Sequence, residues 1–419
     1  MPHCFFALHN NRSRAPSTLI IVLSFLFGPK AALVVVSTMH ESLGRRGWTL
    51  ISAAFATGYL FRSFATHSVS DRTNVGNLIK HSRANLRLAR PSEGCTAEQQ
   101  KKQAQAFTEK INANHKMWSS CPSEAILKAI HAADPAPPDM VMLNIGANKG
   151  YAIVDTLALW RPDLGITPTS WHAALVEQNP EAKGLCGVCN DCREKGGEDM
   201  EVGNMAVGTS SKPAFTVHAV EPLPTNLPLL RGLQARANVA EGVTMFVHPG
   251  AVGPLADTPL YFNASSCTQV GREDCILATA GGPGMHVVTA WSLPSFVAEH
   301  RLDRIDFLMI DSEGYDGAIL LNSVDFLNTR TARMIEFEYH AIGMWGSGPD
   351  QVQLKQVVDV LDAAGYACYL QGRDGTLVDL AGTCWDPAFE FFYWSNVLCP
   401  LRGDVWHAAA DRMCAWKTV

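Results

Sequence analysis

Four groups of residues have side-chain types and spacings suited to chemistry. The first is Asn144-Ile-Gly146-Ala-Asn148-Lys-Gly150, a glycine-rich run directly after the apolar segment Met140–Ile145. Glycines at such a turn let the backbone come close to a ligand, and a helix starting there offers unpaired N–H groups. A purely structural glycine turn has the same appearance, so the run alone is weak. The second group is Val217-His-Ala-Val-Glu221-Pro222. An acid at the tip of a strand can accept both ribose hydroxyls of an adenosine.

Glu221 comes 71 residues after Gly150, far beyond the roughly 20 residues of a compact dinucleotide unit. Glu177, in Ala174-Leu-Val-Glu177, is a rival 27 residues after Gly150. Glu221 is preferred because Met245-Phe-Val-His-Pro-Gly-Ala251-Val-Gly follows it as a third strand and turn. Residues 161–212 then form an insertion.

The third group is Ile305-Asp-Phe-Leu-Met-Ile-Asp311-Ser-Glu313-Gly-Tyr-Asp316, an apolar run delivering three carboxylates within six residues. Desolvated carboxylates are costly, so a buried strand ending in acids implies a use for them. A helix N-cap accounts for Glu313 or Asp316 more readily than for Asp311. The fourth is Met334-Ile-Glu336-Phe-Glu338-Tyr-His340, in which strand alternation puts Glu336, Glu338 and His340 on one face. Proton transfer suits this set, and His340, with an ordinary pKa near neutrality, is the first candidate to accept a proton.

Strands must hold these groups. Met140–Ile145, Phe215–Val220, Val243–His248, Ile305–Ile310 and Met334–Tyr339 read as buried strands, and Tyr151–Trp160, Leu223–Arg236 and Val352–Ala364 as helices. Alternating strands and helices predict an α/β fold with a doubly wound, Rossmann-like parallel sheet. Thr96 to about His115 reads as an exposed helix, residues 62–139 as a stem and helical lead-in, 140–399 as the catalytic domain and 400–419 as a tail.

Residues 1–90 hold eleven Lys or Arg against Glu41 and Asp71, while the whole 419-residue chain carries −6. The acidic remainder excludes phosphate-led nucleic-acid binding. The basic start resembles a targeting segment. Ser17–Ser37 approaches the length of a membrane span, but Gly28-Pro29-Lys30 interrupts it, and a central Lys costs about 2.5–3.5 kcal/mol on insertion. Trp48–Phe61 suits a signal-peptide core or short anchor. Residues 1–61 are therefore expected to direct the chain to a membrane or the secretory pathway. The basic residues 62–90 leave a plastid or other organelle as the alternative, and two buried helices are the plainer one.

Twelve cysteines, eleven of them beyond residue 90, suit an oxidising lumen with disulfides, as does the sequon Asn263-Ala-Ser265. Cys186, Cys189 and Cys192 are spaced for disulfides or for a structural metal, with Cys121 or His172 as a further ligand. The carboxylates of Asp311, Glu313 and Asp316 are a weaker candidate for Mg²⁺. The sequence sets no oligomeric state.

In order and approximate spacing the four groups resemble the FkbM methyltransferase family. There a D-x-G-A-N-x-G turn, a strand ending in E-P, an A-V-G turn, a K-I-D-x-E-G segment and a strand ending in E-x-H follow one another. Phe337-Glu-Tyr-His340, Trp345, Cys384-Trp385 and Trp394-Ser-Asn-Val-Leu-Cys399 are similar to a eukaryotic branch. The resemblance implies S-adenosylmethionine held by Asn144, Gly146, Asn148, Gly150, Glu221 and Ala251. It implies methyl transfer to a hydroxyl of a glycan, lipid or small metabolite, with Asp311, Glu313, Glu338 and His340 as catalytic candidates. Asn144 replaces the usual acid, Met309 the usual Lys, and Trp291-Ser292 the usual Leu-Asp. Those departures favour the alternative of a degenerate domain serving as a binding or scaffold module. A dinucleotide oxidoreductase is the third reading, but the G-x-G-x-x-G fingerprint is missing.

Overall fold

The computed structural model describes residues 19–26, 32–39, 94–113, 124–180, 212–255, 258–263, 267, 270, 275, 278, 281–346, 351–372 and 375–414. The chain divides into two units, Met1–Val69 and Ser70–Val419. In the first, β1 (Leu19–Leu26) pairs antiparallel with β2 (Ala32–Met39). Both strands lie within the apolar stretch Ser17–Ser37 and its immediate continuation. Gly28-Pro29 divides it, and Val34, Val35 and Val36 favour the extended backbone. Among the described residues no helix is long and apolar enough to cross a membrane. Trp48–Phe61, residues 62–90, Cys121, Cys186, Cys189 and Cys192 lie outside the described residues.

The second unit opens with helix α1 (Ala97–Ala113) and α2 (Glu124–Ala133). The lead-in is not merely exposed: Gln103 and Phe107 of α1 are buried. The Gln103 amide donates to the Asp379 carbonyl at 2.7 Å, and a Cys95–Cys384 disulfide fixes the start of the helix. Lys and Glu solvate the other face while one residue per turn faces inward.

Strands β3 (Asp139–Ile145), β4 (Ala214–Glu221) and β5 (Val243–Pro249) are parallel neighbours. Short strands β6 (Ala251–Gly253), β7 (Leu260–Asn263), β8 (Met285–Val288) and β9 (Ala290–Ser292) follow, with β6 pairing β9 and β7 pairing β8. Then come β10 (Ile305–Ile310), β11 (Ala332–Tyr339), β12 (Tyr369–Gln371), β13 (Leu377–Asp379) and β14 (Ser395–Pro400). The large sheet has the order β13-β12-β14-β11-β10-β3-β4-β5. Its β11-β10-β3-β4-β5 part is parallel, and β14 runs antiparallel to β11.

Strand alternation builds two cores. Leu143 and Ile145 of β3 join one apolar cluster, Met140 and Met142 the other. The second cluster includes residues of α2, α3 (Tyr151–Trp160), α4 (Pro168–Gln178) and α5 (Leu227–Ala237). The first holds α6 (Leu293–Glu299), α7 (Asp316–Leu321), α8 (Val324–Thr329) and α9 (Leu354–Ala364). A mixed α/β, doubly wound architecture results, as the sequence predicts.

Two segments differ from expectation. Within the expected insertion, α4 packs on the fold: Trp171 is fully buried and its indole N–H donates to the Lys149 carbonyl at 2.8 Å. Beyond Pro400, α10 (Val405–Met413) buries Trp406 beneath the Arg333 guanidinium, 4.0 Å from its ring centroid. The aromatic residues of both segments are what a solvated insertion or tail would lack.

Candidate active site

The strand order reverses between β3 and β10, so a crevice opens beyond their carboxyl ends. Gly146 ends β3 at φ 77°, and its N–H and that of Ala147 both donate to the Val220 carbonyl at 3.0 Å. A Cβ on Gly146 would stand 1.7 Å from the Asp311 carbonyl oxygen, so only glycine lets the two loops meet. The Asp311 N–H donates to the Ile145 carbonyl at 2.9 Å. Gly150, at φ 84°, precedes α3, and there a Cβ would press on Leu233 at 2.8 Å. Gly146 therefore serves the crevice, whereas Gly150 serves helix packing.

Glu221 is buried at the end of β4. Its Oε2 accepts from the Asn148 N–H at 2.7 Å, and its Oε1 from the Leu223 N–H at 2.8 Å and the Asn226 amide at 3.3 Å. Burial raises its pKa to about 7 despite those three donors. Glu177, by contrast, lies exposed on α4 rather than at a strand end. Gly146, Asn148, Glu221, Ala251, Asp311 and Glu313 all line one crevice, open to solvent. Its mixed polar and apolar walls suit a nucleoside.

The expected helix at Leu223 begins at Leu227 because Pro222 and Pro224 delay it. Asn226 is left at the helix entry, buried, with its amide also donating to Asn148 Oδ1 at 3.3 Å. Sequence reasoning missed Asn226, although Asn before Leu-Pro is a helix-start signal.

On the other wall, Asp311 is solvent-accessible and Glu313 half-buried at φ 52°. Desolvation by the surrounding protein, then the charges of Glu338, Glu313 and Asp316, hold the Asp311 carboxyl well above its ordinary pKa. Glu338 accepts from the Trp394 indole N–H and faces His340 Nε2 at 3.0 Å. His340 Nδ1 accepts from the Ile342 N–H at 2.9 Å, which places the ring proton on Nε2, toward Glu338. Burial would lower the His340 pKa, but the Glu338 hydrogen bond and the charges of Glu338 and Asp316 leave it raised. Nδ1 is therefore occupied, and Nε2 faces the Glu338 carboxylate instead of the open crevice.

Asp316 is fully buried and turned to structural use. Its carboxylate accepts from the Ser312 hydroxyl at 3.0 Å and from the N–H groups of Gly314 and Glu338 at 3.3 Å. It thereby ties the acidic turn to β11. Burial and the Glu338 charge raise its pKa to about 7.

The family model described as the Methyltransferase FkbM domain matches residues 144–368, just over half of the chain. The chain belongs to the FkbM methyltransferase family. It is a methyltransferase by that membership. No curated protein matched the chain in a sequence comparison.

The structure bears on all three departures from the FkbM pattern. Met309 is the lateral partner of Asn144 on β3 and of Glu336 on β11. The family's acid at 144 and Lys at 309 would therefore be neighbours, and this chain neutralises both. Losing one member alone would strand a buried charge, at a cost of several kcal/mol. Asn144 remains buried with its Oδ1 lacking a hydrogen-bond partner. Ser292 keeps the capping function of the family's Asp: its side chain accepts from the Ser295 N–H at 3.2 Å at the start of α6.

Proposed function

We propose that the chain is an S-adenosylmethionine-dependent O-methyltransferase, acting on a hydroxyl of a glycan, lipid or small metabolite. The observation that carries this reading is the crevice in which the Gly146 turn and the buried Glu221 carboxylate face Asp311 and Glu313. The fit to the donor is supported by a close-approach glycine, a strand-end acid that lines the crevice, and the unpartnered Asn144 Oδ1 below the turn. Glu221 would hold the ribose hydroxyls, the Gly146–Asn148 backbone would admit the methionine portion, and Ala251 would flank the base.

When bound, S-adenosylmethionine supplies an electrophilic methyl group on a sulfonium. The protein's part is to align the acceptor oxygen in line with the breaking S–C bond and to take its proton as the O–C bond forms. Asp311 is the proposed base, because it opens to the crevice and because desolvation and the neighbouring carboxylates raise its proton affinity above that of an ordinary carboxylate. Glu313 would orient the acceptor. His340 and Trp394 are positioning residues that fix Glu338, which in turn sets the charge state of Asp311. Asn148, Gly146 and Gly150 need no charge for their part.

The same reading places the protein in an oxidising lumen, near a membrane. Its support is the basic start, the disulfides Cys95–Cys384, Cys267–Cys275 and Cys368–Cys399, and exposed Asn263 at the end of β7. The reaction is tested by incubating the purified full chain with methyl-labelled S-adenosylmethionine and cell extract. Label appearing on a base-stable product with wild-type protein, and not with Glu221→Ala, supports O-methyl transfer. Labelled products identical in the two samples would contradict it.

A further inference from the structure

A second cluster lies at the edge of the sheet, and none of its side chains has a part in the site described above. His218 is on β4, His248 on the edge strand β5, and His300 directly after α6. The register pairs His218 with Phe246 and Val220 with His248, so the two strand histidines stand diagonally on one sheet face. One nitrogen from each of the three rings lies within 4.8 Å of the other two. His218 Nδ1 and His248 Nε2 are 3.1 Å apart with ring planes 3° apart, and the His248 and His300 ring centroids are 4.3 Å apart. His300 Nε2 is buried and has no hydrogen-bond partner; Glu299 Oε1 stands 4.0 Å away.

The geometry points to a structural metal site in which His218, His248 and His300 bind a Zn²⁺-class divalent cation. Three imidazoles with no carboxylate among them suit zinc, copper or nickel, whereas magnesium and calcium take oxygen ligands. Tetrahedral zinc with bonds near 2.0–2.1 Å sets its nitrogens about 3.4 Å apart. The His218–His248 pair is within a few tenths of an ångström of that spacing, so only His300 must close in. A tautomer change leaves an unprotonated nitrogen on each of the two rings without altering charge, and a turn of the rings then aims both lone pairs at the cation. The unpartnered His300 Nε2 acquires in this way the partner that a buried polar atom requires.

The three ligands come from separate elements, so the cation would fasten edge strand β5 and the end of α6 to β4. His248 lies two residues before Gly250, whose N–H donates to the Glu221 carbonyl at 3.0 Å. The metal therefore braces one wall of the crevice without entering it. This site does not rest on the methyltransferase reading.

The test uses the full chain stripped with a chelator, then titrated with Zn²⁺ and, separately, Co²⁺. Wild-type protein is compared with His300→Gln and with the double variant His248→Gln/His300→Gln. Cys186, Cys189, Cys192 and the Glu313, Glu338, His340 group are retained in all three, so the readout is the difference between them. The expected result is one more metal equivalent in wild type than in the double variant, without a thiolate charge-transfer band for that equivalent in the cobalt spectrum. His300→Gln should weaken binding of that equivalent by more than about 100-fold, since even outer partners of metal ligands are worth 10- to 100-fold. Zinc should raise the melting temperature of wild type more than that of either variant. Equal stoichiometry and equal zinc-dependent melting shifts in wild type and folded His300→Gln protein would overturn the proposal and leave the cluster as aromatic packing. His300 is at a partly exposed helix end, so that single variant keeps the comparison decisive if the double variant does not fold.

Discussion

The Asn148 backbone N–H donates to Glu221 Oε2 at 2.7 Å, joining two motifs 73 residues apart at one carboxylate. The glycine turn and the strand-end acid are thus one unit: the backbone geometry of the first orients the second. Glu221→Ala removes a charged acceptor and leaves the Asn148 and Leu223 N–H groups unmatched. It should weaken S-adenosylmethionine binding by about 1.5–3 kcal/mol, on the order of ten- to a hundredfold. Glu177→Ala, on the exposed face of α4, should change affinity less than about twofold. Titration calorimetry on both variants checks the contrast, and a larger effect at Glu177 would reverse the assignment.

The pKa of about 7 at Glu221 makes donor affinity depend on pH. The protonated acid cannot accept as many hydroxyls, so binding favours the carboxylate. Affinity should rise by up to about tenfold per pH unit between pH 5.5 and 7. In Glu221→Gln that dependence should vanish. Binding measured across this range in both proteins checks it; parallel slopes would assign the titration to another group.

Asp311 and Asp316 are five residues apart in the chain and differ in what surrounds them. Asp311→Asn should lower single-turnover methyl transfer while leaving donor affinity within a few-fold, the mark of a group used in the transition state. His340→Gln should lower turnover and shift its pH profile, because Glu338 loses the partner that fixes it. Asp316→Ala strands the N–H groups of Gly314 and Glu338 and should cost about 1–3 kcal/mol in stability. Thermal melts beside single-turnover rates separate the three. A destabilised Asp311→Asn with normal turnover would make Asp311 structural as well.

Cys95–Cys384 ties the entry of α1 to the far end of the sequence. Cys95→Ser should lower stability by about 2–5 kcal/mol, mainly by freeing the unfolded chain. Peptide mapping of the unreduced native protein should recover Cys95–Cys384 and Cys368–Cys399 as linked pairs. Free thiols at all four positions would place the protein in a reducing compartment.

The five parallel strands were legible because each is a short, largely apolar run, and Ile305–Ile310 and Tyr151–Trp160 match their predicted bounds. Less legible were the parts set by tertiary contact. Nothing local marks Gln103 as buried, since its partner, the Asp379 carbonyl, is on a distant strand. Val405–Met413 reads as a tail until Arg333 supplies a cation over Trp406. At the site, alternation brought Glu338 and His340 together, but the Ile342 N–H that occupies His340 Nδ1 comes from a chain reversal no spacing reveals. The three clustered histidines stand in separate strands and a helix end, so they share no motif to find.

The central claim is that the crevice at Gly146, Glu221 and Asp311 holds S-adenosylmethionine. Calorimetric titration of the purified full chain with S-adenosylmethionine, S-adenosylhomocysteine and NADH tests it most directly. The account predicts one equivalent of either sulfur nucleoside, lost or greatly weakened in Glu221→Ala, and no saturable binding of NADH. Wild-type protein that is folded yet binds neither sulfur nucleoside, or that binds NADH instead, would contradict it.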